Sequence, residues 1–238
     1  VMDFVEGESL ANLIKREGAL PEAQVVEWAL QLLDALEYCH QEGIIHRDIK
    51  PQNVIVRPNG RVVLVDFGLV KLWDPTHPHT RTAMRGMGTP EYAPPEQYDT
   101  QVGHTDPRSD IYALGATIYH AMTGQAPPTA TMRIANPILF RTPRALNPDI
   151  SPIAEAAVLQ ATELIITRRF ASAREMAAAL RGEKPISVAP LRETTRVMAD
   201  ASAATGVLSQ PAVARRARKS TGASPWLWLL GGLAAATL

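Results

Sequence analysis

A mostly helical α+β fold with one small hairpin is predicted for this chain, on three observations. Val25, Ala29, Leu32, Leu33, Leu36 and Cys39 recur at helical spacing and give one long apolar face. Two short apolar runs, V-I-V at 54–56 and R-V-V-L-V at 61–65, flank Pro58-Asn59-Gly60, whose Asn-Gly step is a strong hairpin-turn signal. Polar residues of a consistent kind then gather around that hairpin. Asp48, Lys50 and Asn53 stand just before it, and Asp66 just after.

The bulk numbers narrow the field. At 238 residues the chain can bury one good-sized core or two small ones. Lys plus Arg equals Asp plus Glu, 24 each, so no global field favours nucleic acid or an acidic substrate. A single cysteine, Cys39, excludes an internal disulfide framework and fits a reducing compartment. Its place beside Leu36 and Tyr38 predicts core packing. Residues 1–5 have no basic lead and do not read as a signal peptide.

Taken in order, residues 1–5 predict a strand and turn. Residues 8–16 and 22–41 predict helices, with Pro21 well placed at a helix start, where a missing N–H costs nothing. Gly43 is expected to end the second helix, and His40 in its last turn to be a surface residue complementing the helix dipole. Residues 71–85 lack periodicity and carry Pro75, Pro78, three threonines, His77 and His79, which predicts a mobile loop. The two histidines have no acidic or cysteine partner nearby, so metal binding there is not expected. Residues 108–124 predict an apolar helix with Asp110 at its start, a position suited to capping. Residues 126–152 are proline-rich and predicted irregular, and 153–166 and 171–180 to alternate helix and turn.

Past Gly182 the character changes. Pro, Ala, Ser, Thr and Arg dominate 185–224 without an apolar pattern, which predicts a disordered linker containing Arg215, Arg216, Arg218 and Lys219. Residues 225–238 are uncharged and begin P-W-L-W-L-L. Basic residues before them and tryptophans at the boundary predict the start of a transmembrane helix, cut short of the roughly 20 residues a bilayer needs.

The hairpin carries the chemistry. It is expected to bring Asn53 and Asp66, at the outer ends of its strands, close together. Two oxygen ligands on one edge suit a hard cation such as Mg²⁺, which takes few protein ligands plus phosphate oxygens.

These residues also stand in a recognisable order. I-I-H-R-D-I-K-P-Q-N at 44–53 resembles the catalytic loop of protein kinases, and L-V-D-F-G at 64–68 resembles their metal-binding motif. Lys50, two residues after Asp48, resembles the serine/threonine class. The resemblance is to bacterial Ser/Thr protein kinases of eukaryotic type. It implies an α+β, protein-kinase-like fold with a mostly helical C-terminal lobe and an N-terminal lobe largely absent from residues 1–184. No glycine-rich phosphate loop, strand lysine or partner glutamate occurs before the first motif. Negligible activity is therefore expected of residues 1–238 alone.

The resemblance implies roles as well. Asp48 would accept or orient the proton of the substrate hydroxyl. Lys50 would neutralise charge on the transferred phosphoryl group, and Thr89 would tie the peptide-binding segment to both. Asn53 and Asp66 would hold Mg²⁺ (or Mn²⁺) on ATP. Met2 would guard the back of the nucleotide pocket, the backbones of Asp3 and Val5 would bond adenine, Ser9 would lie near the ribose, and Ile55 would floor the adenine. Without that frame, residues 1–9 read as a strand and turn with no ligand role. Thr80 and Thr82, in T-R-T, resemble paired activation-loop phosphosites, with Arg47 as their phosphate partner. The alternative is that they are plain polar loop residues. G-T-P-E-Y-A-P-P-E at 88–96 resembles the segment that receives the substrate peptide, although Pro94 replaces an expected alanine. Arg169 would pair with Glu96 despite I-I-T-R replacing the usual acidic-proline run, and Asp110 would hold the catalytic-loop backbone.

The function implied is transfer of the ATP γ-phosphate to Ser or Thr hydroxyls of proteins by a kinase anchored in the cell membrane, its catalytic domain cytoplasmic. Self-association for activation-loop autophosphorylation follows, and no nucleic-acid partner is expected. A non-catalytic kinase-like scaffold would not need Asp48, Lys50, Asn53 and Asp66 together. A small-molecule kinase of the same fold would not need G-T-P-E-Y or the loop threonines.

Overall fold

Helix formation begins where the hairpin lets it. The first strand pair is short: β1 (Glu8–Ser9) lies antiparallel to β3 (Val54–Val56), with Glu8 opposite Val56 and Ser9 opposite Ile55. Because that pairing uses the backbone of Glu8 and Ser9, α1 runs over Leu10–Glu17, two residues later than its sequence pattern suggested. The Ser9 hydroxyl caps it, accepting the Asn12 N–H at 3.2 Å. These coordinates are a computed structural model, which describes residues 5–67, 71–72, 89–98 and 104–183. Expectations attached to Met2, Asp3, Gly68, residues 73–88 with His77, His79, Thr80 and Thr82, the linker and residues 225–238 lie outside the described residues.

The long helix α2 (Glu22–Gln41) matches its predicted bounds. Val25, Trp28, Ala29, Leu32, Leu33 and Leu36 form its buried face. Cys39 is only half-buried, at the margin of that face, and partial desolvation pushes its thiol pKa up. Gly43, at φ 71°, reverses the chain into β2 (Ile44–Ile45). A 3-10 turn, Pro51–Asn53, then leads into β3.

β3 and β4 (Val62–Leu64) form the predicted hairpin, with Val54 opposite Leu64, Ile55 opposite Val63 and Val56 opposite Val62. Its loop has three residues: the Gly60 N–H closes a turn on the Arg57 carbonyl at 2.9 Å, and Gly60 takes φ 78°. Two contacts lock the hairpin to α2. Trp28 Nε1 donates to the Gly60 carbonyl at 3.1 Å, and the Val62 N–H donates to Gln31 Oε1 at 3.1 Å. The stretch predicted as loop from residue 71 begins instead with β5 (Lys71–Leu72), antiparallel to β2, with Ile44 opposite Leu72.

The remaining elements are helical: α3 (Pro95–Tyr98), α4 (Pro107–Thr123), α5 (Ala130–Ala135), α6 (Pro143–Leu146), α7 (Pro152–Ala161) and α8 (Ala173–Leu180). The prolines of 126–152 do not break helices as expected; Pro143 and Pro152 start them, where no N–H is needed. Thr129, Ser151 and Ser172 cap α5, α7 and α8 through their hydroxyls. Helix α4 is buried along nearly all of its length and lies at the centre, with Ile111, Leu114, Ala121 and Met122 fully buried. Its cap is Asp106, whose Oδ1 accepts the Arg108 N–H at 2.8 Å, so the capping role considered for Asp110 falls to Asp106.

Helices α4 and α7 approach so closely at Gly115 that a Cβ there would stand 2.7 Å from the Ala161 Cβ and 3.1 Å from Thr162 Cγ2. Overpacking of this kind costs about 1–3 kcal/mol, which exceeds the roughly 1 kcal/mol that alanine gains over glycine inside a helix. Gly115→Ala is expected to lower the urea midpoint of the folded domain. A midpoint that stays or rises would show that the two helices separate without cost.

Candidate active site

One buried carboxylate organises the loop between β2 and β3. Asp110, in the first turn of α4, is fully buried. Its Oδ1 accepts the Arg47 N–H at 2.8 Å and its Oδ2 the His46 N–H at 2.9 Å. From the other side, Gln97 Nε2 donates to the Arg47 carbonyl at 2.9 Å. Arg47 is thereby held at φ 70°, a conformation that a long side chain adopts at a cost of about 1–3 kcal/mol. Oδ2 also receives His40 Nε2 at 2.9 Å. His40 is therefore no surface residue: its side chain is 8% exposed and turned onto α4.

His46 fastens this loop to the segment after β4 that leads to Asp66. The Asp48 N–H donates to its Nδ1 at 3.3 Å, so the ring proton sits on Nε2, which donates to the Val65 carbonyl at 3.2 Å. The ring is fully buried and burial pushes its pKa down, in keeping with a neutral imidazole. Phe67 packs edge-on against it, with centroids 4.6 Å apart.

The polar residues singled out in the sequence meet here. Lys50 Nζ lies 2.7 Å from Asp48 Oδ2. Asn53 Nδ2 donates to the same oxygen at 3.1 Å and to the Asp48 carbonyl at 2.8 Å. With the amide nitrogen turned to Asp48, the atom that Asn53 can offer a cation is Oδ1. The Val65 N–H donates to the Asn53 carbonyl at 2.9 Å, which sets exposed Asp66 beside it at φ 64°. Asparagine and aspartate oxygens form a hard donor set suited to Mg²⁺. Among the described residues no group of three or more His, Cys, Asp or Glu side chains is placed to form a metal cage.

Ile55 is half-buried and opposite Ser9 in the sheet register. Gly7 presses onto this strand, where a Cβ would meet the Val56 carbonyl oxygen at 2.5 Å and Ile55 Cγ2 at 2.6 Å. Half-buried Val5 precedes it, outside any strand. Ser9 Oγ accepts the Asn12 N–H in the α1 cap, which leaves its O–H to donate.

Residues 89–98 meet the rest of the lobe through a buried ion pair. Arg169 grips Glu96 with both arms, Nη1 to Oε1 at 2.7 Å and Nη2 to Oε2 at 3.0 Å, the side chains 0% and 2% exposed. Ser109 Oγ donates to Glu96 Oε1 at 2.9 Å, and Arg169 Nε donates to the Glu163 carbonyl at 2.7 Å. The I-I-T-R stretch forms a 3-10 turn, Ile166–Arg168, that delivers Arg169 to this position. Thr89 enters through its carbonyl, which accepts the Tyr92 N–H at 3.0 Å, while Lys50 bonds Asp48 itself. The Tyr92 hydroxyl lies 2.7 Å from His120 Nδ1. Burial raises the phenol pKa and lowers that of the imidazole, so the hydroxyl donates to a neutral ring.

Arg47 stands apart. Its side chain is nearly buried, yet among the described residues Nε and Nη1 have no hydrogen-bond partner, and desolvation pushes its pKa down. Sequence reasoning misplaced His40 on the surface and passed over Gln97, Ser109 and Asp106. Only Asp106 carried a local signal, an Asp-Pro step with a serine three residues on.

Comparison with known proteins gives the chain its family. Residues 1–150 match the family described as protein kinase domain. The chain is 35% identical to the serine/threonine-protein kinase PknA of Corynebacterium glutamicum over 93% of this chain and 47% of that protein. It is 34% identical to the kinase drp72 of Corynebacterium efficiens over 94% of this chain and 43% of the relative. It is 33% identical to PknB of Mycobacterium tuberculosis over 89% of this chain and 35% of that protein. The chain thus spans less than half the length of these relatives. It belongs to the protein kinase domain family, among the bacterial serine/threonine protein kinases.

Proposed function

We propose that the full-length protein containing this chain transfers the γ-phosphate of ATP to serine and threonine hydroxyls of other proteins. The observation that carries the reading is the convergence of Lys50 and Asn53 on one oxygen of Asp48, on a loop held to α4 by Asp110. Phosphoryl transfer asks the protein for position and charge more than for covalent chemistry. Asp48 would orient the acceptor hydroxyl and take its proton. Lys50, already beside Asp48, would face the negative charge of the phosphoryl group. Asn53 Oδ1 and Asp66 would hold Mg²⁺ or Mn²⁺, which when bound to ATP neutralises phosphate charge. Ile55 would support the adenine from the hairpin, Val5 and Ser9 would flank the nucleotide, and Thr89 would border the peptide-receiving segment.

The test is incubation of the full-length gene product with labelled ATP, Mg²⁺ and a protein acceptor. Phosphoserine and phosphothreonine are expected in the acceptor. Label confined to small molecules, or none, would overturn the reading.

Activation follows from Arg47. A nearly buried guanidinium with two nitrogens unpartnered among the described residues is suited to receive an anion, and Thr80 and Thr82 would be the phosphate acceptors that supply it. Each charged hydrogen bond is worth about 1.5–3 kcal/mol. Thr80→Ala with Thr82→Ala should lower kcat about 10- to 100-fold on that basis. Arg47→Ala should give a similar loss, not additive to the first. Full activity in both variants would remove the idea. Phosphorylation in trans requires self-association. Residues 225–238 would begin a membrane anchor that keeps the catalytic domain cytoplasmic. Among the described residues no helix is long and apolar enough to cross a membrane.

A further inference from the structure

We propose that residues 132–144 form a docking surface for an anionic membrane, with Ile138 at its tip and Arg141 and Arg144 at its base. The proposal rests on the membrane anchor proposed above for its tether, and on nothing in the catalytic loop.

Apolar exposure is concentrated in this stretch. Eight large hydrophobic side chains are exposed among the described residues, and four of them are Met132, Ile134, Ile138 and Leu139. Ile138, at 88% exposure, stands almost wholly in solvent. Every residue from Ile134 to Leu139 is exposed. Single apolar side chains at a surface are ordinary, whereas a continuous group of them marks an interaction site.

The tip is held out by a fixed base. Helix α5 ends where the Asn136 N–H donates to the Met132 carbonyl at 2.8 Å. Pro137 then opens a 3-10 turn that the Phe140 N–H closes on the Pro137 carbonyl at 3.2 Å. Phe140 stacks on buried Tyr119 with centroids 5.4 Å apart, and the Tyr119 hydroxyl donates to the Arg141 carbonyl at 2.9 Å. Arg133 lies 3.8 Å from the Phe140 centroid and donates from Nη1 to the Thr162 carbonyl at 2.8 Å. A segment ordered in this way loses little conformational freedom when it docks.

Charge selects the occupant. No aspartate or glutamate occurs between Asp110 and Asp149, although the whole chain carries as many acids as bases. The arginines at the base are free to meet anions. Arg141 Nη2 donates to the Ala145 carbonyl at 2.8 Å and Arg144 Nε to the Ile150 carbonyl at 3.0 Å. Among the described residues neither guanidinium is paired with a carboxylate; Glu155 accepts the backbone N–H of Arg144 at 2.9 Å. A projecting apolar tip above cations fits a lipid interface. The apolar side chains enter the acyl boundary while the guanidinium groups stay among anionic headgroups. A folded partner would need a concave pocket ringed by acids to match the same shape and charge. Each arginine near an anionic leaflet strengthens binding about fivefold, so Arg141 and Arg144 together give on the order of 25-fold. The tether adds to this. Residues 184–224, as a flexible linker, have a root-mean-square span of about 35 Å, which presents the surface to its own bilayer at high effective concentration.

The test uses the full-length protein in nanodiscs of phosphatidylcholine alone, or of phosphatidylcholine and phosphatidylglycerol in equal parts. Amide hydrogen exchange is followed across residues 132–140, a readout that needs no kinase activity. Exchange is expected to be about tenfold slower in the anionic discs than in the neutral ones. Ile134→Glu with Ile138→Glu should abolish the difference, and so should Arg141→Gln with Arg144→Gln. The isoleucines replaced are exposed, so the first variant is expected to keep the wild-type urea midpoint; if it does not fold, the arginine variant decides. Equal exchange in the two kinds of disc would overturn the proposal. So would protection that survives in the variants. Protection that appears in detergent and grows with protein concentration would assign the face to a second copy of the chain instead. If the protein does not stay with the discs, the anchor reading falls by itself, and sedimentation with phosphatidylglycerol vesicles tests the surface. Binding that both variants lose then supports the proposal, and absence of binding overturns it.

Discussion

Asp48→Asn in the full-length protein is expected to lower kcat by about 10²- to 10⁴-fold, the usual contribution of a positioned acid–base group. The side chains have the same shape, and much of the loop does not depend on the charge. Asn53 Nδ2 still reaches the backbone carbonyl of residue 48, and the His46 and Arg47 amides still bond Asp110. What is lost is the anionic partner of Lys50 at 2.7 Å and, on the proposed function, a base for the acceptor hydroxyl. Both matter in the transition state, whereas nucleotide contacts attributed to Ile55, Ser9 and Asp66 are untouched. KM for ATP should therefore stay within about threefold while kcat and kcat/KM fall together. Steady-state assays with varied ATP separate these quantities. A variant with undiminished kcat would mean that Asp48 is not the group that engages the hydroxyl.

Arg169→Ala should destabilise the domain by about 3–5 kcal/mol, the range for removing one partner of a buried pair. The two side chains are almost wholly excluded from solvent, and among the described residues deletion leaves the Glu96 carboxylate with Ser109 as its remaining hydrogen-bond donor. Arg169 also satisfies the carbonyls of Glu163, Leu164 and Arg108 and lies over the Tyr112 ring, 4.8 Å from its centroid. Those acceptors would lose this donor together. Glu96→Leu combined with Arg169→Met should recover much of the loss, because it leaves no unpaired buried charge, though the three carbonyls still lack the guanidinium donor. Urea unfolding followed by tryptophan fluorescence reads the difference, with Trp28 buried beside the hairpin. A single mutant within about 1 kcal/mol of wild type would place the pair among contacts that stabilise little.

Much of this architecture is short-range and was legible in the residues themselves. The apolar period of α2, the Asn-Gly turn between β3 and β4, and the order of Asp48, Lys50, Asn53 and Asp66 span at most about one helix or one hairpin. Local geometry settles such features, since a helix repeats every 3.6 residues and a strand every two. The rest was decided by contacts between distant parts of the chain. Glu8 and Ser9 could have opened a helix, but pairing with β3 drew their backbones into a sheet. The prolines of 126–152 looked like breakers until each helix start had a place to pack. His40 looked like a solvent-facing dipole partner, because its partner Asp110 lies 70 residues away and nothing within α2 points to it. Glu96 and Arg169 are 73 residues apart, and family resemblance, not periodicity, suggested their pairing. A buried charge is tolerable only where the fold brings it a partner, and that partner is chosen by packing, which no local window contains.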